Sequence, residues 1–269
     1  MKRVSIIILV FCVIAAGSVF TGCFSDDSYN RMRETENPAT PDYVTEAPTA
    51  PPETAPESYI IEDVEVIPQK DLKAGCETYA CTMLLKIWGF ELDEYYFADN
   101  YVEVQWPYYD EEGNMYAADM YSVSVGSPYS GWGVYAPAMA RFMNHYLQDQ
   151  NSKLHAYNYE NIPLAELCEK YVCKDIPVMI WATTAMLEPF IKDTWTVNYV
   201  DENAKTKIGD SFSWWEHEHC LVLVGYDEEN YYFADSFSET VSVFEKQLCQ
   251  TRYEQLFSQC IVVLPSAVK

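Results

Sequence analysis

A break in composition near residue 58 limits which part of this 269-residue chain can form a packed core. Residues 4–19 are mostly apolar and follow Lys2 and Arg3, a form typical of a secretory signal and too short to span a membrane comfortably. Residues 24–58 are rich in Pro, Thr and Glu and show no apolar period, which predicts a disordered tether. We therefore predict a signal over 1–22, a tether over 23–58 and one folded domain over 59–269.

The predicted signal ends in Phe20-Thr21-Gly22-Cys23, where small residues precede a cysteine. This stretch resembles a bacterial lipobox, with Phe20 where Leu is usual, and predicts that Cys23 is lipidated and becomes the mature N-terminus. An uncleaved N-terminal anchor is the alternative. Under either interpretation the domain is exported. We expect it at the outer face of the cytoplasmic membrane as a lipoprotein, held through its N-terminal lipid or anchor, or secreted.

Acidic residues dominate the charge of the chain, with 41 Asp and Glu against 17 Lys and Arg and a formal net charge of -24. Such a surface repels phosphate groups and offers no basic patch to anionic lipids, so nucleic acid is excluded as a partner. A preference for basic substrates does not follow from net charge alone. We expect a monomeric domain without a cofactor.

Apolar spacing and turn residues predict an α+β fold, with helices first and antiparallel strands later. The predicted helices are 76–88, 93–101 with Asp93 as its cap, 136–147, 163–173 and 246–257. The predicted strands are 59–67, 177–182, 195–200, 219–226, 231–235 and 259–264. Residues 102–133 form a long aromatic segment that could bind sugar or peptide by stacking, or could cover the sheet.

Cys76 is a candidate nucleophile because it follows Gly75 at the start of the first predicted helix. The partial positive charge and free amides at a helix N-terminus lower the pKa of a thiol and favour the reactive thiolate. Gln69 lies seven residues earlier, where its side-chain amide could help the Cys76 amide to hold an oxyanion. The alternatives are a structural core cysteine and a surface glutamine.

His219 is a candidate base because it opens the apolar run 220–226. His217 would share the same strand face, so spacing alone does not choose between the two histidines. Asp235 ends the next predicted strand, and a hairpin would return it to the histidine, whose ring it could orient. With a four-residue turn, however, Asp235 pairs with Val222 on the opposite face, so a bulge or a changed turn is required. Three other acids are fallback candidates for orienting the histidine, although each fits better as a solvated loop charge: Asp227, Glu216 and Glu218.

Several short motifs occur in a specific order over about 65–263. They are Ile67-Pro68-Gln69, Gly75-Cys76-Glu77, Met83-Leu84 with Trp88-Gly89, Tyr135-Ala136-Pro137, Ile176-Pro177-Val178 with Trp181-Ala182, Glu218-His219-Cys220 through Gly225-Tyr226-Asp227, and Tyr231-Tyr232-Phe233-Ala234-Asp235. In these motifs the chain resembles the bacterial peptidases related to those that cut double-glycine leaders from bacteriocin precursors, and especially their stand-alone C39-like relatives.

This resemblance implies a papain-like fold, with the nucleophile helix packed on a C-terminal antiparallel sheet, and a cysteine peptidase acting on peptide or protein substrates. It implies Cys76 as nucleophile and His219, rather than His217, as base. It also implies Asp235 as the residue that orients the base and Gln69 as part of the oxyanion hole. Ser236 departs from the pattern, in which Pro often follows the Asp. No transporter portion is present, so leader removal coupled to export is not implied.

Other interpretations of the same residues stay open. His217 and His219 could ligate a metal, but no second Cys or His pair has the spacing of a closed zinc site, and we expect no metal. The chain has nine cysteines, of which Cys12 lies in the predicted signal and Cys23 is the predicted lipidation site. The domain therefore has seven, an odd number that suggests one free thiol. Possible disulfides are Cys168–Cys173 and Cys249–Cys260. The alternative functions are a cell-wall peptide hydrolase with a Cys–His site and a non-catalytic binding lipoprotein.

Overall fold

A computed structural model gives the fold of residues 55–238 and 240–266. The predicted signal, Cys23 and nearly all of the predicted tether lie outside the described residues, so these assignments and the domain boundary stay predictions. In the described part of the chain, no helix is both long and apolar enough to cross a membrane.

The helices of the described ranges match the five predicted ones. They are α1 (Cys76–Ile87), α2 (Glu94–Asn100), α3 (Ala136–Asp149), α4 (Leu164–Lys170) and α5 (Lys246–Gln255). Asp93 caps α2 as predicted, because its carboxylate accepts a hydrogen bond from the Tyr96 amide. The predicted helix 163–173 is too long, since α4 ends at Lys170 and a short 3-10 turn follows over Val172–Lys174.

Strands connect and surround these helices. In chain order they are β1 (Tyr59–Ile60), β2 (Val104–Gln105), β3 (Tyr108–Tyr109), β4 (Met115–Ala118), β5 (Ser124–Ser127), β6 (Ser130–Gly133), β7 (Leu154–Glu160), β8 (Val178–Thr183), β9 (Phe190–Tyr199), β10 (Ser211–Glu216), β11 (Glu218–Tyr226), β12 (Asn230–Ala234), β13 (Ser242–Glu245) and β14 (Gln259–Pro265). The strands that were not predicted from the sequence are β2 to β7, β10 and β13. The predicted first strand is also too long, because the backbone turns at Asp63, where φ is 56°.

An antiparallel sheet lies at the centre of the fold, in the order β13-β12-β11-β8-β14-β7, with β1 paired to the end of β11. The residues of β8 are buried throughout, and in β11 only the first residue, Glu218, is partly exposed. A strand that is buried on both sides needs cover on both faces of the sheet. α1 packs on β11 and β8, α3 packs on β7 and β14, and α5 packs on β8.

The aromatic segment 102–133 contains the strands β2 to β6. Together with β9 and β10, these strands form two smaller sheets, ordered β10-β9-β4-β3 and β2-β5-β6. Within them Trp195 is buried, and its indole N–H donates to the Ala118 carbonyl at 2.9 Å. The exposed aromatic side chains of the segment are Trp106, Tyr108, Tyr109 and Tyr129. The aromatic residues are therefore divided between core and surface, and stacking on a ligand stays untested.

The start of α1 is fixed by close packing around Gly75. A Cβ at this position would lie 2.7 Å from the Leu72 Cβ and 3.2 Å from the Pro128 Cβ, so only glycine fits without a shift. The Gly75 carbonyl accepts the hydrogen bond of the Tyr79 amide at 2.9 Å, which begins the helix. Cys76 is thereby placed at the first helical position, against the middle of the sheet.

The seven cysteines of the described ranges are all free, so the disulfides suggested by cysteine count are wrong. The Cys173 thiol donates instead to the Glu169 carbonyl at 3.1 Å. Cys249 and Cys260 are completely buried in the core, on α5 and β14. Only Cys76 and Cys173 are partly exposed, while the other five thiols are packed as small apolar side chains.

Candidate active site

The first turn of α1 presents Cys76 to a cavity of about 360 Å³. Gln69 and His219 line the same cavity, together with the aromatic rings of Trp132, Trp214 and Phe237. The structure therefore brings three of the four predicted site residues to one opening. The Cys76 thiol makes its hydrogen bond with its neighbour, the Glu77 Oε2, at 3.3 Å.

The environment of Cys76 differs from the sequence-based expectation of a lowered thiol pKa. Burial, followed by the charges of Glu77 and Glu218, raises the pKa of the Cys76 thiol well above its ordinary value. The helix N-terminus is present as predicted, but desolvation and two neighbouring carboxyl groups outweigh it. These surroundings therefore favour the protonated thiol over the thiolate.

The hairpin of β11 and β12 brings His219 and Asp235 together. The His219 Nε2 donates to the Asp235 Oδ1 at 2.8 Å, and both side chains are almost fully buried. The uninterrupted register would have put Asp235 on the wrong face. A bulge between Leu223 and Gly225 shifts the pairing, so that Val222 lies opposite Ala234 instead of Asp235. The bulge thus shifts the strand pairing by one residue, which places Asp235 on the same face of the sheet as His219.

The Asp235 carboxylate is held by two further hydrogen bonds at the end of β12. Its Oδ1 also accepts a hydrogen bond from the Phe237 amide at 2.9 Å, and its Oδ2 accepts one from the Ser242 hydroxyl at 3.1 Å. Burial alone would raise the pKa of Asp235, but the hydrogen bond and charge of His219, together with these donors, lower it. Asp235 is thus an ionised acceptor that fixes the imidazole, and Nδ1 is the ring nitrogen left for a partner in the cavity.

Gln69 is anchored to the residue after Asp235. The backbone N–H of Gln69 donates to the Ser236 carbonyl at 2.7 Å, and the Ser236 hydroxyl donates to the side-chain Oε1 of Gln69 at 3.2 Å. The Gln69 Nε2 donates to the Leu72 carbonyl at 2.7 Å, which uses one of its two N–H groups. The serine that departs from the family pattern therefore orients the side chain of Gln69, a contact that proline could not make.

Glu77 and Glu218 are the residues that the sequence analysis missed. We assigned Glu218 to a solvated loop position, and this is wrong, because it begins β11 and its Oε1 is buried without a hydrogen-bond partner. Glu77 is 2% exposed and accepts a hydrogen bond from the Val134 amide at 2.8 Å. In the sequence, the only indication that they belong to the site is that each stands next to a proposed catalytic residue.

His217 does not share a strand face with His219, contrary to the prediction. The chain leaves one sheet at Glu216 and enters the central sheet at Glu218, and His217 makes this change with φ of 71°. Its ring lies against the Phe190 ring, with centroids 5.6 Å apart, while His219 bonds to Asp235. The two histidines therefore do not converge as a metal site would require.

The remaining candidate acids have structural roles. Glu216 forms an ion pair with Lys192 at 2.8 Å. Asp227 accepts hydrogen bonds from the hairpin turn and from the Tyr232 hydroxyl, and these bonds lower the pKa of Asp227 to about 2. Neither acid bonds to His219, which leaves Asp235 as its carboxylate partner among the described residues.

The sequence profile of the Peptidase_C39 like family matches residues 61–261, which is most of the chain and all of the site. The chain belongs to this family. It is a cysteine peptidase with an α+β, papain-like fold, as the sequence motifs implied.

One solved structure agrees with this assignment at the level of the fold. A crystal structure described as a C39-like peptidase from Bacillus anthracis has a TM-score of 0.63 and 23% identity, over 78% of this chain and 98% of that chain. The peptidase domain of Streptococcus ComA, a bi-functional ABC transporter of a quorum-sensing pathway, has a TM-score of 0.42 and 11% identity, over 76% of this chain and 99% of that chain. The latter is too distant to support an argument. A search of curated proteins found no match.

The contribution of Asp235 to the stability of this C39-like peptidase should depend on pH. We expect Asp235→Asn to lower the free energy of unfolding by about 1–3 kcal/mol at neutral pH, because a charge-assisted hydrogen bond is weakened. The pKa of Asp235 is lowered in the folded protein. Its carboxylate therefore stabilises the fold fully above the unfolded pKa of about 3.9, and this contribution is lost as the pH falls through the folded pKa.

Urea unfolding of wild type and variant, from about pH 7 to about pH 3, measures this difference. Asp63→Asn is the matched control, since it makes the same change at an exposed carboxylate. A loss that stays constant over the whole pH range would show that Asp235 stabilises the fold by shape and not by charge.

Proposed function

We propose that this enzyme hydrolyses peptide bonds with Cys76 as nucleophile, His219 as base, Asp235 as the residue that orients the base, and Gln69 as an oxyanion donor. The supporting observation is the 2.8 Å hydrogen bond between the His219 Nε2 and Asp235. It leaves the His219 Nδ1 to exchange a proton with Cys76, which lines the same cavity.

In the proposed reaction, Nδ1 of His219 takes the thiol proton and the Cys76 sulfur attacks the substrate carbonyl carbon. The imidazolium then gives its proton to the leaving amine, and an acyl-enzyme remains on Cys76. Water, deprotonated by the neutral imidazole, attacks this thioester, the bond between the carbonyl carbon and the Cys76 sulfur breaks, and the acid is released. The imidazolium returns the proton to the sulfur, which restores the thiol. Asp235 stays ionised throughout, because its lowered pKa favours the carboxylate that stabilises the imidazolium.

The raised pKa of Cys76 affects the step at which its thiol proton is transferred to His219. Desolvation and the neighbouring carboxyl groups oppose ionisation of this thiol before substrate binds. Substrate binding displaces water and brings the carbonyl to the sulfur, so proton transfer and attack can occur together. The thiolate is then needed only in the complex, in which its charge passes to the oxyanion.

Loss of the proposed nucleophile should abolish peptide hydrolysis. We expect Cys76→Ser to reduce kcat/KM by at least about 10³-fold, because the serine hydroxyl is a much poorer nucleophile at this position. Cleavage of a mixed peptide library, followed by mass spectrometry, measures the activity. Cys173→Ser is the matched control, since Cys173 is the other partly exposed thiol.

Two outcomes would count against this proposal. Hydrolysis that survives in Cys76→Ser would remove Cys76 from the reaction. A wild-type enzyme that cleaves purified muropeptides but no library peptide would favour the cell-wall peptide hydrolase instead.

The oxyanion role of Gln69 predicts an effect on kcat. We expect Gln69→Ala to reduce kcat by about 10²–10³-fold with a smaller change in KM, because the donated hydrogen bond strengthens in the transition state. Ser236→Ala is the milder comparison variant, since it removes only the hydroxyl contact to the Gln69 Oε1. It should reduce kcat less than Gln69→Ala does. A change confined to KM in Gln69→Ala would assign this side chain to substrate binding only.

We also propose that the enzyme is an exported lipoprotein, tethered through Cys23 and acting on peptide or protein substrates outside the cytoplasm. The apolar run and the lipobox-like Phe20-Thr21-Gly22-Cys23 support this proposal. Cys23→Ser in the full chain should move the protein from the membrane fraction to the soluble exported fraction. Wild-type protein that fractionates with the cytoplasm would contradict export.

A further inference from the structure

Two carboxyl groups beside the nucleophile have no part in the proposed reaction. Glu77 follows Cys76 on α1, and Glu218 precedes His219 on β11. Because α1 packs on β11, one carboxylate oxygen from each lies within 4.8 Å of the other and of the Cys76 sulfur. Two acids and a thiol, separated widely in sequence, thus form one cluster at the floor of the cavity.

The hydrogen bonds of this cluster are unequal. The Glu77 Oε1 accepts from the Val134 amide at 2.8 Å, and its Oε2 accepts from the Cys76 thiol at 3.3 Å. The Glu218 Oε1 is buried with no partner among the described residues. A side chain at Gly133 would collide with the Glu77 Oε1 and lie 3.5 Å from the Glu218 Oε2, so glycine lets both carboxyl groups reach the same space.

No basic side chain of residues 55–238 or 240–266 forms an ion pair with either glutamate. On the cavity side, Lys192 is paired with Glu216, and Lys73 is exposed. The His217 ring lies against Phe190. The other titratable neighbours of the pair are Cys76, Tyr135, His219 and Cys220. Of these neighbours, His219 is the basic group, and its ring is hydrogen-bonded to Asp235 at 2.8 Å.

Two carboxylates this close and this poorly hydrated cannot both stay ionised near neutral pH. Burial, and then the charge of Glu77, raises the pKa of Glu218 well above its ordinary value. Burial also raises the pKa of Glu77, opposed by backbone amides including that of Val134. The least costly state of the pair near neutral pH has one proton and one negative charge.

We propose that Glu77 and Glu218 share one proton, and that the charge of this pair governs the pH range in which Cys76 becomes a thiolate. The glutamates act through Cys76 and not on the substrate. The proposal rests on the proposed function, in which Cys76 is the nucleophile. When the pair gains its second proton in acid, repulsion of the thiolate disappears, and when it loses the shared proton in base, repulsion doubles. The pKa of the Cys76 thiol is therefore lowest when the pair holds two protons and highest when it holds none.

A double-mutant cycle on the thiol tests the shared proton. The probe is iodoacetamide, and the readout is the rate of alkylation of the Cys76 peptide by mass spectrometry, near pH 7 and with a chelator present. Glu218→Gln leaves one negative charge on Glu77, as the shared proton does in the wild type, whereas Glu77→Gln leaves Glu218, whose pKa burial still raises. We expect Glu218→Gln to stay within about threefold of the wild-type rate, and the double variant to react at least about tenfold faster.

The alternatives give different patterns. If both glutamates are ionised independently, each single variant removes a charge, so both rates rise and multiply in the double variant. This result, or an unchanged rate in the double variant, would overturn the proposal. Glu216→Gln is the matched control, since it removes a carboxylate that Lys192 already neutralises, and its rate should not change. Alkylation needs no substrate, so absent peptide hydrolysis would defeat the proposed function and leave this result intact.

A second measurement tests the proposal even if the double variant does not fold. A raised pKa means that Glu218 keeps its proton in the fold while the unfolded chain ionises, so the wild type loses stability as the pH rises above the unfolded pKa of about 4.3. The thermal midpoint of Glu218→Gln should therefore exceed that of wild type by a margin that grows from about pH 4.5 to about pH 8. A margin independent of pH would show that Glu218 affects packing only, and would overturn the proposal.

Discussion

The bulge in β11 between Leu223 and Gly225 is the feature on which the site depends. Side chains alternate along a strand, so a shift of one residue in the pairing decides whether Asp235 lies beside His219 or on the other face of the sheet. With the bulge, the carboxylate and the imidazole meet at 2.8 Å in the buried part of the hairpin. Without it, the same sequence would place an unpaired acid and an unpaired histidine in the core, at a cost that marginal domains rarely tolerate.

One short segment supports two parts of the site. Asp235 holds the imidazole, and the next residue, Ser236, holds Gln69 through a backbone and a side-chain hydrogen bond. The same turn therefore sets the orientation of the His219 ring and that of the Gln69 side chain.

The elements that could be predicted from sequence are those with local signals. Helix α1, the hairpin and the α+β class follow from apolar spacing and turn residues, and family motifs identify the four proposed site residues. The pairing of Glu77 with Glu218 could not be predicted, because it arises from how a helix packs on a strand over 140 residues away in sequence. The protonated state of Cys76 was missed for a related reason, since desolvation depends on tertiary burial that a helix N-terminus does not reveal. His217 looked like part of a strand because nothing local marks the change of sheet.

The protonated resting thiol has a chemical consequence beyond hydrolysis. Oxidation of cysteine proceeds through the thiolate, and its products beyond the sulfenic acid are for the most part irreversible. Five of the seven described cysteines are buried, and the described domain holds no disulfide that a reductant could open. A thiol that keeps its proton reacts slowly with peroxide. The carboxyl groups that raise the pKa of Cys76 therefore also protect its sulfur from oxidation.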